Sequence, residues 1–401
     1  EDATHSASIR NASQRAAAAF ETLWLLLCAI ALVSVATQAD NIGYATRIAV
    51  DSFCLPLVAF YAARSQFDFT SHRKALLLGA TVVAVFVFAT GAFEMATGTD
   101  LFATEGSLLV RESEVRVNGP FQIDSSFSVI GLLLVVFLRA GPRLLKLNLD
   151  RGALVINWFG IACAAAAALM PLYRVAAIAL VGSWLLVEIG MRSVPATRQE
   201  AQRRAWRLSP RLLILLLALV VSAGVAGLFI QPPEGRLASV RNIYGRLATW
   251  GAATQIALEN PVLGVGLTNY NQYFNQRYTR SDQWLGAIEN ARPAAYPHSN
   301  PLWIASELGL AAFIIYVLAN ANLFFAAYPG LKREADPSQR AAAYCLAGLL
   351  AAYWIPGLTL TSGAFSDLNL YFFFLLGLAA QNVARAIPTN GAGVQGGRAG
   401  T

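Results

Sequence analysis

Apolar stretches of about 20 residues recur along the chain, the length an α-helix needs to cross the hydrocarbon core of a bilayer. They run roughly over 18–38, 43–63, 75–97, 122–140, 152–172, 174–192, 211–231, 299–326, 340–361 and 365–386, read by length and apolarity. Inside a bilayer no water satisfies backbone N–H and C=O groups, so each stretch must close its own hydrogen bonds as a helix. The stretch at 43–63 is the weakest, because it carries Arg47, Asp51 and Pro56. Of the 401 residues, 56% are hydrophobic and 13% charged, about half the charged share of a soluble domain. A soluble protein of this size is excluded for want of a polar shell. A disordered chain is excluded too, since it needs low hydrophobicity and high net charge. The expected fold is an all-α polytopic membrane protein with about 10–12 transmembrane helices, which allows for a hidden half-span.

The net charge of +7, from 30 Lys+Arg against 23 Asp+Glu, is mainly a topology signal. With a cytoplasmic N-terminus, about 20 of the basic residues fall on inner segments, as the positive-inside rule requires. They include Arg64, Arg73 and Lys74, then Arg139, Arg143, Lys146 and Arg151, and the dense run from Arg192 to Arg211. Both termini are therefore expected in the cytoplasm, and no nucleic-acid partner is expected. The organisation that follows has a cytoplasmic tail (1–17), a first part of the bundle (18–231), a large outer loop (232–298), a second part of the bundle (299–386) and a Gly-rich, disordered tail (387–401). A shorter outer loop occupies 98–121. No cleavable signal peptide is evident, and the run from Phe20 to Ala36 is long enough to act as a signal anchor. Cys28, Cys54, Cys163 and Cys345 all lie in apolar runs without CxxC spacing, which reads as helix packing rather than disulfides or zinc.

Loops as long as the two outer ones usually carry function, and they hold the basic residues that topology leaves over. In the larger one, residues Arg241 to Glu259 repeat apolar side chains at Ile243, Leu247, Trp250, Thr254 and Ala257/Leu258. This predicts an amphipathic helix against the membrane surface, with Asn242, Arg246 and Thr249 as a polar strip. Glu259-Asn260-Pro261 stops it, and Gly264-Val265-Gly266 follows as a tight turn. Farther on, His298 precedes Asn300-Pro301, a good N-cap and first-turn pair. A positive helix end disfavours imidazolium, so a neutral His298 could act as a general base near pH 7. The other two histidines, His5 and His72, are expected in the cytoplasm, so a poly-His metal site is not expected, and no metal or cofactor is assigned. Arg174 sits between two apolar runs with almost no loop, where an unpaired arginine is costly and functional by default. Headgroup-level snorkelling is the plain alternative for Arg174 and Arg246, and a capping role for His298. Arg116 belongs to a Gly119-Pro120 turn. Arginines that can hold a pyrophosphate, with one neutral histidine to deprotonate a hydroxyl, fit glycosyl transfer from a lipid diphosphate-linked sugar.

The segment GRLATWGAATQIALENPVLGVGLTNY, with HSNPLWIASELGLAAFIIY beyond it, resembles the O-antigen ligase and polymerase superfamily. The shared pattern is an arginine on a surface helix (Arg246), an NPxxGxG turn (Asn260 to Gly266), and a histidine entering a helix with ExG (His298 to Gly309). LYRVAAIALVGSW resembles the family's SRGA segment, with Arg174 at its arginine and Tyr173 in place of the usual serine. RVNGPFQ with Asp124-Ser125-Ser126 resembles its GxFxNPN turn but lacks the Asn-Pro-Asn. The resemblance covers roughly residues 110 to 310 and is the more specific in its second half. It implies a GT-C-like, metal-independent, inverting transferase on the periplasmic face of the bacterial inner membrane. The donor would be an undecaprenyl-diphosphate-linked glycan and the acceptor a sugar hydroxyl of lipid A–core. Carried over by position, Arg174 and Arg246 would bind the diphosphate and His298 would activate the acceptor. Arg116, Arg241, Arg277, Arg280 and Arg292 are secondary candidates for acceptor contacts, or plain solvated charge. Glu307 is expected in a helix–helix contact, too far along its helix to reach the same hydroxyl.

Three readings share this donor and chemistry: a ligase, a polymerase whose acceptor is another lipid-linked unit, and a protein O-oligosaccharyltransferase. The ligase has the closest Arg/Arg/His spacing. A transporter or flippase would instead hold its polar residues near the midplane, and internal repeats, which such proteins often show, are not evident here.

Overall fold

A computed structural model of the chain describes residues 2–102, 110–192, 240–278, 296–331 and 337–384, with Asp68, Glu112, Ser113, Arg116, Gln122 and Leu172 excepted. The protein is an all-α polytopic membrane protein. Its helices are α1 (Asp2–Gln38), α2 (Ile42–Gln66), α3 (Phe69–Thr97), α4 (Asp124–Leu144), α5 (Arg151–Leu169), α6 (Arg174–Arg192), α7 (Val240–Glu259), α8 (Tyr270–Tyr278), α9 (Asn300–Leu331), α10 (Pro337–Gly357) and α11 (Ser366–Ala384). A two-residue hairpin, β1 (Val110–Arg111) with β2 (Glu114–Val115), interrupts the first long loop. Among the described residues, 7 helices are long and apolar enough to cross a membrane. The expected span at 211–231 lies outside the described residues.

Where connections are short the helices alternate in direction, and the bonds of Glu94 to Asn118 and Gly119 and of Ser126 to Asp367 place α4 and α11 across the longer ones. The end at which α1 finishes, here the upper end, therefore collects the starts of α2, α4, α6 and α11. The centre of the bundle is α4, buried without a gap from Ser125 to Leu138. A helix buried all round has no need of an amphipathic stripe, and its apolar run is correspondingly continuous. α5, α6, α10 and α11 pack around it, and α1 packs along α9. Near their lower ends, helices are tied by two ion pairs. Arg64 meets Glu21 bidentately along one guanidinium edge, Nε and Nη2 donating to the two carboxylate oxygens at 2.8 and 2.6 Å. Arg139 meets Glu188 at 2.5 Å and lies over the rings of Trp158 and Trp184. Helix α2 passes through two π-helical turns, Val50–Cys54 and Ala62–Gln66. The first immediately precedes the turn holding Pro56, which has no N–H to continue the ladder.

One expectation needs correction and one gains detail. Residues 2–17 are helical and run straight into the first span as part of α1. The expected span 299–326 is not one helix: α9 is broken at Gly309, with φ +88° and ψ 170°. In an unbroken helix Asn300 and Tyr316 would be about 24 Å apart. Instead the Asn300 side chain hydrogen-bonds the Tyr316 phenol, so the front half (300–308) folds back beside the rear half (310–331).

Candidate active site

The break in α9 is held open by the Asn260–Gly266 turn. With the helix interrupted, the carbonyls of Ser306 and Glu307 lose their partners one turn on, and buried carbonyls must be paired. The turn supplies them: Val265 N–H donates to the Ser306 carbonyl at 2.9 Å and Gly266 N–H to that of Glu307 at 3.1 Å. In return, Leu310 N–H donates to the Pro261 carbonyl at 2.8 Å. Two backbones this close leave no room for side chains. A Cβ on Gly264 would strike the backbone of Glu307, and one on Gly309 would come within 2.5 Å of the Val262 carbonyl oxygen. Both glycines also have positive φ, where L side chains are strained.

Glu307 makes the expected contact with a second helix, in the form of a cap. Its carboxylate is buried and accepts from the backbone N–H groups of Thr268 at 2.9 Å and Tyr270 at 3.2 Å, and from the Trp303 indole at 2.7 Å. It thereby caps α8, whose first N–H groups have no partner within the helix, and fastens that helix to the break.

His298 lies just ahead of the front half. It is a non-glycine residue in the left-handed region, φ +53°, a conformation that costs about 1–2 kcal/mol. The surroundings hold it there. Trp250 donates its indole N–H to the His298 carbonyl at 3.3 Å, and the Thr249 hydroxyl donates to the Pro297 carbonyl at 3.4 Å. Ser299 N–H donates to the Thr361 hydroxyl at 3.0 Å. Asn300 does not cap its own helix as expected. Its amide oxygen accepts from Gly363 N–H at 2.8 Å, in the α10–α11 connection, and the Ser299 carbonyl takes the first helical bond, from Trp303 N–H. The ring of His298 keeps access to solvent but sits among enough protein to be partly desolvated. That desolvation is the largest cause pushing its pKa below the ordinary 6.5. The Arg246 guanidinium pushes it further down, and Asp124 opposes both. The neutral form expected from the sequence is thus favoured by burial and a neighbouring cation as well as by the helix end.

Arg246 stands on α7, and the helix is turned otherwise than its apolar pattern suggests. The inward face is Thr249, Ala252, Ala253 and Ile256, all buried, against Tyr270 and Phe274 of α8. The larger side chains of the expected stripe face outward, with Leu247 at 52% and Leu258 at 65% exposure. Small residues allow close approach, so packing against α9 and α8 chose that face over the more hydrophobic one. Arg246 precedes Thr249 by three residues, which puts it on the inward side, half-buried and within electrostatic reach of His298.

The N-termini of α4 and α11 lie at the same place as that of α9. Ser126 of α4 donates to Asp367 of α11 at 3.4 Å. Arg174 begins α6 at the same end of the bundle and is exposed; Met170, in the turn before it, packs with Phe127 and Val117. No direct contact joins Arg174 to His298 or Arg246 in the geometry described. Arg116, Arg280 and Arg292 lie outside the described residues. Arg241 and Arg277 fall on α7 and α8, and their side chains lie outside the description.

Sequence reasoning missed three participants. Asp124 was visible only as a departure from a family pattern. Thr361 carried no signal. Glu94 carried one, a lone carboxylate inside an apolar run: it is buried and accepts the backbone N–H groups of Asn118 at 2.9 Å and Gly119 at 2.8 Å, fixing the 117–121 turn beside α4. Tyr296 pairs its hydroxyl with that of Tyr44 at 3.0 Å, and burial pushes its phenol pKa up. Among the described residues, no three His, Cys, Asp or Glu side chains group as metal ligands. In comparisons with known proteins, no family model matches the chain and no curated protein matches it.

Proposed function

We propose that the chain is a metal-independent, inverting glycosyltransferase of the O-antigen ligase type, working on the periplasmic face of a bacterial inner membrane. The observation that carries this reading is the approach of His298 and Arg246 from separate elements, tied by the Trp250 bond to the His298 carbonyl, with burial and that cation lowering the imidazole pKa. The family resemblance supplies the substrates: an undecaprenyl-diphosphate-linked glycan as donor and a sugar hydroxyl of lipid A–core as acceptor. No cofactor is invoked.

In the proposed reaction His298 takes the proton of the acceptor hydroxyl. The oxygen attacks the anomeric carbon from the side opposite the diphosphate and forms the new glycosidic bond. The bond from that carbon to the diphosphate oxygen breaks, its electron pair leaves with the diphosphate, and the configuration inverts. Arg246, and Arg174 as the second arm, neutralise the charge that grows on the leaving group. The N-terminus of α9 beside His298 adds a field favourable to negative charge. Such donors serve the transition state without a divalent cation.

The test offers purified protein a lipid-linked glycan with either lipid A–core or a second lipid-linked unit. Elongated lipid A–core supports the ligase; elongated lipid-linked product points to polymerase chemistry instead; and no product with either sinks the reading. EDTA should leave the rate unchanged, and inhibition restored by a divalent metal would overturn metal independence.

A further inference from the structure

Ser52 of α2 is buried, and its hydroxyl finds no hydrogen-bond partner among the described residues. Other buried helical hydroxyls return to the carbonyl four residues back, as Thr81 does to Leu77, Ser183 to Ala179 and Ser306 to Leu302. Ser52 lies instead in the π-helical turn Val50–Cys54, a rare geometry often found at functional positions. Trp24 of α1 braces that turn, donating its indole N–H to the Phe53 carbonyl at 3.0 Å. The Ser52 side chain lines a small cavity where α1, α2, α9 and α10 meet, with Trp24, Asn300, Trp303, Tyr316 and Tyr353. The space open to the centre of a water-sized sphere is about 10 Å3. The polar wall is a closed ring of hydrogen bonds. Asn300 bonds the Tyr316 phenol, and Tyr316 bonds that of Tyr353. Tyr353 donates to the Asn369 amide oxygen at 3.1 Å, Asn369 to the Gly363 carbonyl at 2.7 Å, and Gly363 N–H to the Asn300 amide oxygen at 2.8 Å. Ser52 stands outside this ring, yet each phenol oxygen can accept a further bond.

We infer that this cavity binds one water molecule, hydrogen-bonded to the Ser52 hydroxyl and to the phenols of Tyr316 and Tyr353. The inference goes beyond the proposed reaction and does not depend on it. A buried hydroxyl without a partner is costly. A space for a single molecule, with about two to four polar groups around it, is where proteins hold internal water. Both conditions meet at Ser52. No carboxylate lines the cavity, so a neutral occupant suits it better than a cation. The water ties α2 to the ring, and the ring holds Asn300, two residues beyond His298. The contacts that fix the entry of α9 thereby extend to α2.

The test compares the melting temperatures of the full chain and its Ser52→Ala variant in one detergent. Ser52→Ala removes one bond of the water and should lower the melting temperature by about 2 °C. A hydroxyl with nothing to bond would instead be relieved by alanine, so an unchanged or higher melting temperature would overturn the inference. Tyr353→Phe takes away another bond of the same water, so Ser52→Ala should cost about half as much or less in that background. Equal shifts in both backgrounds would show that the two side chains share no bridge. A density map at about 2 Å resolution gives the direct reading: a peak about 2.7–3.2 Å from the Ser52 and tyrosine oxygens. That peak should vanish in Ser52→Val, which offers it no bond and fills part of the space. Contacts of about 2.4 Å to several oxygens would mark a metal cation instead. Ser52 Oγ bonded directly to a protein atom, with no peak beside it, would show a dry site. Either map would sink the inference.

Discussion

The indole of Trp250 donates to the backbone carbonyl of His298 at 3.3 Å, so the helix that carries Arg246 is pinned to the residue whose ring it influences. The bond links two functions. It helps hold His298 at a positive φ, and it fixes the distance from which Arg246 lowers the imidazole pKa. A strained residue kept in place by bonds from two other elements is the pattern expected of a working site rather than of a surface loop.

If His298 is the base, His298→Asn should cut transfer by about 10²- to 10⁴-fold, the usual worth of a general base. Asparagine tolerates the left-handed conformation, so the melting temperature should stay near that of the wild type. Product formed at the normal rate by the variant would remove His298 from the chemistry.

The pH profile carries a signed expectation. A base with a lowered pKa keeps its activity until the pH falls below the ordinary 6.5, so the acid limb of kcat/KM should lie under that value. Arg246→Gln removes a cation and should move the limb up; Asp124→Asn removes the opposing anion and should move it down. Measuring kcat/KM keeps the reading on the free enzyme, before a charged donor alters the field. Limbs that coincide in all three proteins would show that these side chains do not act on His298.

Gly309→Ala and Gly251→Ala should differ in sign. At Gly309 a Cβ meets the Val262 backbone and the φ is +88°, so the variant should lose several kcal/mol, roughly what overpacking and backbone strain together cost. At Gly251, mid-helix on α7, a Cβ meets nothing within 4 Å, and alanine should stabilise by about 1 kcal/mol. Thermal melting in one detergent decides both.

Glu307→Gln should destabilise the protein by about 1–3 kcal/mol, because an acceptor for one of three buried donors becomes a donor itself. The loss should be local. Hydrogen exchange should speed up at Thr268 and Tyr270, the backbone donors to this carboxylate, before it does in α4. Exchange unchanged at those two amides would mean that the cap contributes nothing to holding α8.

Much of the fold was legible because lipid removes choice. A run such as 152–172 has to close its own backbone bonds as a helix, whatever it packs against, and α5 at Arg151–Leu169 follows from length alone. The Glu259-Asn260-Pro261 stop was equally local, and α7 ends there. His298 and Arg246 could be named from residue type and pattern. Their meeting could not, because it depends on which face of α7 turns inward. Periodicity favoured Leu247 and Leu258, but close packing against α8 and α9 selected the small face holding Ala252 and Ala253. In a bilayer the larger apolar residues lose nothing by facing out, so hydrophobicity does not decide the rotation of such a helix. The break at Gly309 is also a tertiary result. Inside an apolar run a lone glycine looks like part of a span. Only the Asn260–Gly266 turn, arriving with N–H groups for the freed carbonyls of Ser306 and Glu307, makes an interrupted helix cheaper than a continuous one.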